Sequence, residues 1–302
     1  MTGKRRDVPA IRAAAVAALL ALTGCGGEAK KPLLGEGKQV RVGVKSDQPG
    51  TGLELHSGEF VGLDVTVARE LLERVNGGTP FFDGVLSKNR APFLRNETFA
   101  LVVATYSITE QRMRPFKENG EGEGLDFVGP YASGQQGVLV RADDRDRFRS
   151  TGDLDGKLVC VWRSTTSASE LNKPSYSKVR LSEQEDAGTC VKELKEGRVD
   201  AVSTDQLILY GFMEAEPTLA VVPEIAFGAA NDYGVALAKG HRKDCEILRE
   251  AMKKYAVSNE WDRDFQNNLP KVPLDTRNEA RPTASEIDAL SCRDGVGNAA
   301  VN

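Results

Sequence analysis

The segment at residues 103–112 (VATYSITEQR) places an apolar strand directly before a hydroxyl-rich turn and a helix that carries Arg112 in its first turn. Backbone N–H groups at a helix start lack partners within the helix, and a guanidinium group matches a carboxylate through two parallel hydrogen bonds. The pattern therefore predicts a receptor site for a small carboxylate. Ser107 and the backbone of Thr105 are further candidate contacts. The alternatives are that Arg112 is a surface arginine and that Ser107 only caps the helix.

The composition is typical of a folded domain outside the cell. The chain has 302 residues, of which 40% are hydrophobic and 28% charged, and its net charge is −4. This length is sufficient for two compact lobes. No dense basic block follows the first residues, so nucleic acid is not expected as a partner. No CxxC pair occurs and the two histidines lie far from any cysteine cluster, so we expect neither a metal nor a cofactor.

The N-terminal segment indicates export. A basic start, a short apolar run at 13–22 and small residues before Cys25 look like a lipoprotein signal over residues 1–24. Cys25 is then the lipidated first residue of the mature chain, followed by a hydrophilic tether at 25–37. The chain is expected at the outer face of the cytoplasmic membrane, held there by its lipid. An ordinary secretion signal with a chance cysteine is the alternative.

Strand and helix patterns alternate along the rest of the chain. Asp64 is expected to cap a helix, because apolar residues after it recur with the helical period of 3.6. A second helix is expected from residue 109. This alternation predicts an α/β fold with two lobes. The expected strands are at 39–44, 101–104, 136–141, 157–162, 199–204 and 233–239.

Residues 103–112, followed by DFVGPY at 126–131, resemble the signature of the family 3 extracellular solute-binding proteins, the amino-acid receptors of ABC importers. The likeness is strongest to their glutamate/aspartate-type members. It covers about residues 38–270 and implies a two-lobed, type II periplasmic-binding-protein-like clamshell with two strand crossings at the hinge, around residues 131–136 and 231–234. The resemblance places lobe 1 at 38–135, lobe 2 at 136–232, and the return to lobe 1, with the C-terminal tail, at 233–302.

The resemblance also implies a ligand set. Arg112 corresponds to the residue that binds the α-carboxylate, and Asp205 to the acid that binds the α-ammonium group. Thr165 and Thr166 stand in the lobe 2 loop whose N–H groups close over the same carboxylate. For Asp205, helix capping is the alternative.

Two basic residues match positions that acidic-amino-acid members use against the distal carboxylate of the ligand. These are Lys45 and Arg90. Two cations that face one cleft are costly without an anionic guest, so glutamate or aspartate is the expected ligand. The alternatives are a solvated loop lysine for Lys45, with Asp47 as its partner, and an intralobe salt bridge for Arg90.

Four cysteines remain when Cys25 is set aside, and an even number in an exported chain suggests disulfides. Three pairings are possible on paper. The resemblance supports Cys160–Cys190, since glutamate-type members often carry that bond, and Cys245–Cys292 is the pairing that remains. Free buried thiols are the alternative.

The expected function is reception of an amino acid for ABC permease subunits, without catalysis and therefore with no catalytic residues. A lipoprotein sensor that signals to a membrane kinase is the alternative. A dehydratase-like enzyme on the same fold is more remote. Residues 117–124 (KENGEGEG) depart from the family pattern as an acidic insertion, expected to be a flexible loop that could reshape the cleft mouth or a partner surface.

Overall fold

The computed structural model describes residues 1–3, 30–56 and 58–293. Cys25, most of the predicted signal segment and the first part of the predicted tether lie outside the described residues. None of the helices in the described part of the chain is both long and apolar enough to cross a membrane.

Twelve strands and ten α-helices make up the described chain. The strands are β1 Gln39–Val44, β2 Asp47–Gln48, β3 Gly52–Glu54, β4 Phe60–Val61, β5 Thr79–Gly84, β6 Leu101–Val102, β7 Leu125–Arg141, β8 Leu158–Trp162, β9 Arg180–Gln184, β10 Ala201–Asp205, β11 Leu219–Val221 and β12 Phe227–Ala238. The helices are α1 Leu63–Arg74, α2 Arg90–Arg95, α3 Glu110–Met113, α4 Thr166–Leu171, α5 Ala187–Lys195, α6 Gln206–Ala215, α7 Arg242–Ala256, α8 Asn259–Asn268, α9 Leu274–Ala280 and α10 Ala284–Leu290.

Two long antiparallel strands join the two halves of the main sheet. The strand order is β5-β1-β6-β12-β7-β10-β8-β9, with β11 paired to β7. Parallel strands β5, β1 and β6 lie on one side of β12 and β7, and parallel strands β10, β8 and β9 lie on the other. The fold is therefore the two-lobed clamshell that the sequence predicted. The predicted crossings at 131–136 and 231–234 fall within β7 and β12, whereas the stated lobe boundaries remain a prediction.

Helix α3, which the sequence predicted from residue 109, has four residues. Its end has a local cause, because Pro115 disfavours the helical conformation of the residue before it. Arg114 is extended accordingly, with φ −57° and ψ 151°. Thr109 caps the helix, since its side chain accepts a hydrogen bond from the Arg112 N–H.

The expectation that Asp64 caps a helix is wrong. Helix α1 follows Gly62, and its first turn contains Asp64 with no side-chain capping bond. Gly62 has φ +123°, and a Cβ atom there would lie 2.3 Å from the Thr51 carbonyl oxygen. The close backbone approach, which glycine alone tolerates, therefore sets where α1 begins. Asp64 is fully buried and has a different partner, described below.

Both predicted disulfide pairings are confirmed. Cys160 in β8 is bonded to Cys190 in α5, and Cys245 in α7 is bonded to Cys292 just after α10. The second bond fixes the C-terminal tail against β7, where the Cys292 N–H donates to the Phe127 carbonyl at 2.8 Å.

Replacement of both Cys160 and Cys190 by serine should lower the free energy of unfolding. The bond closes a segment with a sequence separation of 30, and the chain-entropy model gives a loss of roughly 3–4 kcal/mol. Urea denaturation of the oxidised wild type and the double variant measures this difference. Equal stability of the two proteins would contradict the assignment of this bond as a structural constraint.

Candidate functional site

A polar cavity lies between the two halves of the sheet. All of the predicted ligand residues except Lys45 line it. Residues from both lobes meet here, so the ends of β6 and β10 and the starts of α3 and α4 share one site. The lining comprises Gln48, Ser87, Arg90, Thr105, Ser107, Arg112, Trp162, Thr165, Thr166, Ser167, Thr204, Asp205 and Ile208.

Arg112 is held by the turn that precedes its helix. Its Nη1 donates to the Ser107 carbonyl at 2.6 Å, and its side chain is largely buried. The turn itself is fixed to β12, because Ile108 donates to Asp232 and Gly234 donates to the Tyr106 carbonyl. Arg112 is therefore not a solvated surface arginine. Ser107 is also not the cap of α3, since Thr109 has that role.

Arg90 is fixed by backbone carbonyls instead of an acidic partner. Nε donates to Ser87, Nη1 to Ala104 and Nη2 to Ser164, at 3.1, 3.2 and 2.9 Å. Ser164 belongs to the other half of the molecule, so Arg90 bridges the cleft. Burial and then repulsion by Arg112 lower the pKa of Arg90 to about 10.

The two guanidinium groups share one aromatic ring. The Arg90 Cζ lies 3.9 Å and the Arg112 Cζ 4.4 Å from the centroid of the Tyr106 ring. A cation over a tyrosine face is attracted by the ring quadrupole, and the attraction is strongest when the groups are desolvated. Tyr106 thus stabilises two buried cations at once. The sequence contained this residue within the key segment, but nothing in its type or spacing showed that both arginines would stack on it.

Both carboxylate oxygens of Asp205 accept hydrogen bonds from residues of β12. Asn231 Nδ2 donates to Oδ1 at 2.7 Å, and Tyr233 Oη donates to Oδ2 at 2.9 Å. It makes no capping bond to α6, so the alternative of helix capping is not what the structure has. Burial raises the pKa of Asp205 to about 7, although both hydrogen bonds and the arginines act in the opposite direction. A cation that enters the cavity would favour its charged form.

The lobe 2 loop presents hydroxyl groups to the cavity. Thr165 caps α4 by accepting from the Ala168 N–H at 3.2 Å, and its hydroxyl donates to the Trp162 carbonyl at 2.7 Å. Gln136 donates to the Thr166 hydroxyl at 3.2 Å. Thr165 is thus engaged within its own lobe through its side chain.

Lys45 lies outside this lining. Its side chain is 1% exposed, and its Nζ is 3.7 Å from Asp47 Oδ1. It is therefore not a solvated loop lysine. Among the described residues, Nζ has no hydrogen-bond acceptor within range. Burial lowers the pKa of Lys45, Asp47 opposes this effect and Arg90 adds to it.

Asp47 also links the two lobes. Its Oδ2 accepts from the Ala187 and Gly188 N–H groups, at 2.7 and 3.0 Å, where α5 begins. A carboxylate at this position satisfies two backbone donors that α5 cannot satisfy itself. The contact connects β2 with helix α5.

A buried chain of hydrogen bonds lies behind Thr105. The Thr105 N–H donates to Tyr131 Oη at 3.1 Å, and that hydroxyl donates to Asp64 Oδ1 at 2.5 Å. Thr105 has φ +43°, which is unusual for a β-branched residue and needs support from its surroundings. Sequence reasoning missed this role of Asp64. The signal available was an acidic residue at an otherwise buried position of α1.

The two-lobed α/β fold and the polar cavity between its lobes define a solute-binding protein. The chain belongs to the bacterial extracellular solute-binding proteins, family 3, whose sequence profile matches residues 40–268. The glutamate-binding protein GluB of Corynebacterium efficiens is 31% identical over 274 residues, which cover 86% of this chain and 90% of that protein. The glutamine-binding protein GlnH of Bacillus subtilis is 27% identical, with 82% of this chain and 88% of that protein covered.

Solved structures agree on the fold. An ancestral arginine-binding protein bound to glutamine superposes with a TM-score of 0.67 at 25% identity, covering 77% of this chain and 98% of that one. The binding protein AbpA of Streptococcus pneumoniae, bound to L-arginine, has a TM-score of 0.68 at 21% identity, covering 77% and 94% of the two chains.

Replacement of Asp64 by asparagine should change how stability depends on pH. Burial raises the pKa of Asp64 to about 7, so the folded state holds its proton more tightly than the unfolded state does. Its contribution to stability is present at low pH and is lost as pH rises through 7. Asp64→Asn keeps an acceptor for Tyr131, so its stability relative to wild type should increase between pH 5 and 8 by on the order of 1–3 kcal/mol.

Chemical denaturation at pH 5, 6, 7 and 8 measures this difference. Asp83→Asn, which removes a carboxylate paired with Arg41 near the surface, is the matched control and should not alter the pH dependence. A constant difference between Asp64→Asn and wild type across this range would contradict the raised pKa.

Proposed function

We propose that the chain binds glutamate or aspartate between its lobes, without catalysis, and delivers it to an ABC importer. The observation that carries the proposal is the pair of buried guanidinium groups, Arg90 and Arg112, that line one polar cavity together with Asp205. The glutamate-binding and glutamine-binding relatives support an amino acid as the ligand.

In the proposed complex the α-carboxylate lies on Arg112 and the α-ammonium group on Asp205. Arg112 uses Nη1 for Ser107, and in the described part of the chain its remaining guanidinium N–H groups make no other hydrogen bond. A bidentate contact with a carboxylate is therefore available to it. The ammonium group would add a cation to the two neutral donors already at Asp205, which offsets the cost of the buried acid.

The distal carboxylate of the ligand would face Arg90 and Lys45. Both cations are buried; Lys45 lies outside the cavity lining and would act on the ligand through its charge, which also interacts with that of Arg90. Burial is the main cause of the lowered pKa of each cation and repulsion by a neighbouring cation adds to it, and an anion placed there would oppose both effects. A neutral amide would not do so to the same extent, so the proposal favours an acidic over an amide side chain.

Titration calorimetry of the chain truncated after Cys25, refolded to remove bound ligand, tests the proposal with glutamate, aspartate, glutamine, asparagine and a basic amino acid. Tight binding of an acidic amino acid is expected. Arg112→Ala should weaken that binding by roughly 2–5 kcal/mol, because it leaves a carboxylate unpaired in a closed cleft.

Arg114→Ala is the matched control for this variant. Arg114 belongs to the same segment but is half-exposed and pairs with Glu110, so its loss should leave affinity unchanged. Equal effects of the two variants would remove Arg112 from the site. Preferential binding of a basic or amide ligand by the wild type would contradict the acidic specificity.

A lipid on Cys25 is the proposed anchor to the membrane. The support is the sequence alone, in which a basic start and an apolar run precede Leu22-Thr23-Gly24-Cys25. The full chain expressed in a bacterial host should partition with membranes and incorporate labelled fatty acid, and Cys25→Ser should do neither. Equal labelling of the serine variant would contradict the anchor.

A further inference from the structure

The acidic insertion at 117–124 is folded onto the mouth of the cleft. The Glu123 N–H donates to the Gln111 carbonyl at 3.2 Å, and Arg95 Nη1 donates to the Glu123 carbonyl at 3.1 Å. Gly122 packs against the chain so closely that a Cβ atom there would lie 2.0 Å from the Pro115 carbonyl oxygen. These contacts fix the backbone of Glu123, so the segment has a defined place beside the site.

The side chain of Glu123 reaches the ring that both arginines share. Its Oε2 accepts a hydrogen bond from Tyr106 Oη at 2.5 Å. Burial, supported by the nearby Glu123 carboxylate, raises the pKa of Tyr106, so the phenol remains a donor. Glu123 also lines the outer part of the cleft together with Arg112, Thr165 and Thr166. Glu123 therefore places a carboxylate at the edge of the cavity whose arginines are proposed to bind carboxylates.

The charge of Glu123 acts on Arg90. It favours the charged form of Arg90, whereas Arg112 disfavours that form. In the empty cleft Glu123 therefore offsets part of the repulsion between the two guanidinium groups. When an anionic ligand enters, the same carboxylate repels it, because like charges at short range in a partly buried site interact strongly.

We propose that Glu123 is a specificity-determining residue, whose negative charge weakens the positive potential of Arg90 and Arg112 and so limits how strongly the cleft prefers an acidic over a neutral amino acid. This inference rests on the proposed function. It also gives the insertion a purpose, since a receptor that delivers its ligand must release it, and weaker attraction of the anion speeds dissociation.

Three variants separate charge from structure. Glu123→Gln removes the charge but keeps an acceptor for Tyr106. Tyr106→Phe keeps the ring and the charge but removes the hydroxyl that joins them. Glu121→Gln removes an equal charge from the same insertion, where Glu121 is exposed and paired with Lys117, and serves as the matched control.

The experiment is titration of each variant with L-glutamate and L-glutamine at low and at physiological salt. Glu123→Gln should raise the ratio of glutamate to glutamine affinity by roughly three- to tenfold, with a smaller gain at higher salt. Glu121→Gln should change the ratio by less than about twofold, because an exposed charge is screened. Glu123→Ala tests the same charge if the glutamine variant does not fold.

The outcomes distinguish the two proposals. If wild type shows no preference for an acidic amino acid, the proposed function and this inference both fail. If wild type binds glutamate but Glu123→Gln leaves the ratio unchanged, or weakens both ligands equally, only the inference fails. It also fails if Tyr106→Phe reproduces the effect of Glu123→Gln, since the hydroxyl contact and not the charge would then be responsible.

Discussion

Two guanidinium groups stacked on one buried tyrosine ring impose the main constraint on this structure. Charges removed from water are costly unless carbonyls, aromatic faces or anions replace the lost hydration. Here the Tyr106 ring lies 3.9 Å from the Arg90 Cζ and 4.4 Å from the Arg112 Cζ, and four backbone carbonyls accept from the two side chains. The loops around the cleft must present these carbonyls, and Thr105 and Ser164 adopt left-handed backbone conformations there.

The same constraint connects the lobes. Arg90 belongs to lobe 1, yet one of its acceptors is the Ser164 carbonyl of lobe 2, and Asp47 reaches across to the start of α5. Strands β7 and β12 run through both halves, so these cross-cleft contacts are made around a continuous pair of hinge strands. An anionic ligand would favour the closed arrangement, which these cross-cleft contacts already support. A ligand shifts a hinge equilibrium in this way, through its higher affinity for one of the two states.

Strand and helix periods and the segment at 103–112 are local signals, and from them the sequence predicted the two-lobed α/β class and Arg112, Thr105 and Ser107 as contacts. With the help of a family resemblance the sequence also predicted the clamshell, the other predicted lining residues and both disulfides. It did not predict the burial of Lys45, the role of Asp64 behind Thr105, or the contact of Glu123 with Tyr106. These features depend on tertiary contacts between residues that are distant in the sequence. Neither periodicity nor residue type predicts such contacts.

The sequence also did not predict where helix α3 ends. A helix was expected from residue 109, and Pro115, five residues after Glu110, ends it, so that the chain continues into the insertion. That early end frees the following residues to fold back on Gln111 and bring Glu123 to the cleft. A local backbone rule therefore has a consequence for the electrostatics of the site.

A crystal structure of the chain with L-glutamate bound would test the central claim most directly, namely that the buried cations hold an acidic amino acid between the lobes. The account predicts the α-carboxylate on Arg112, the ammonium group on Asp205 and the distal carboxylate directed at Arg90 and Lys45. A glutamate bound elsewhere, or one whose distal carboxylate points to solvent away from both cations, would contradict it.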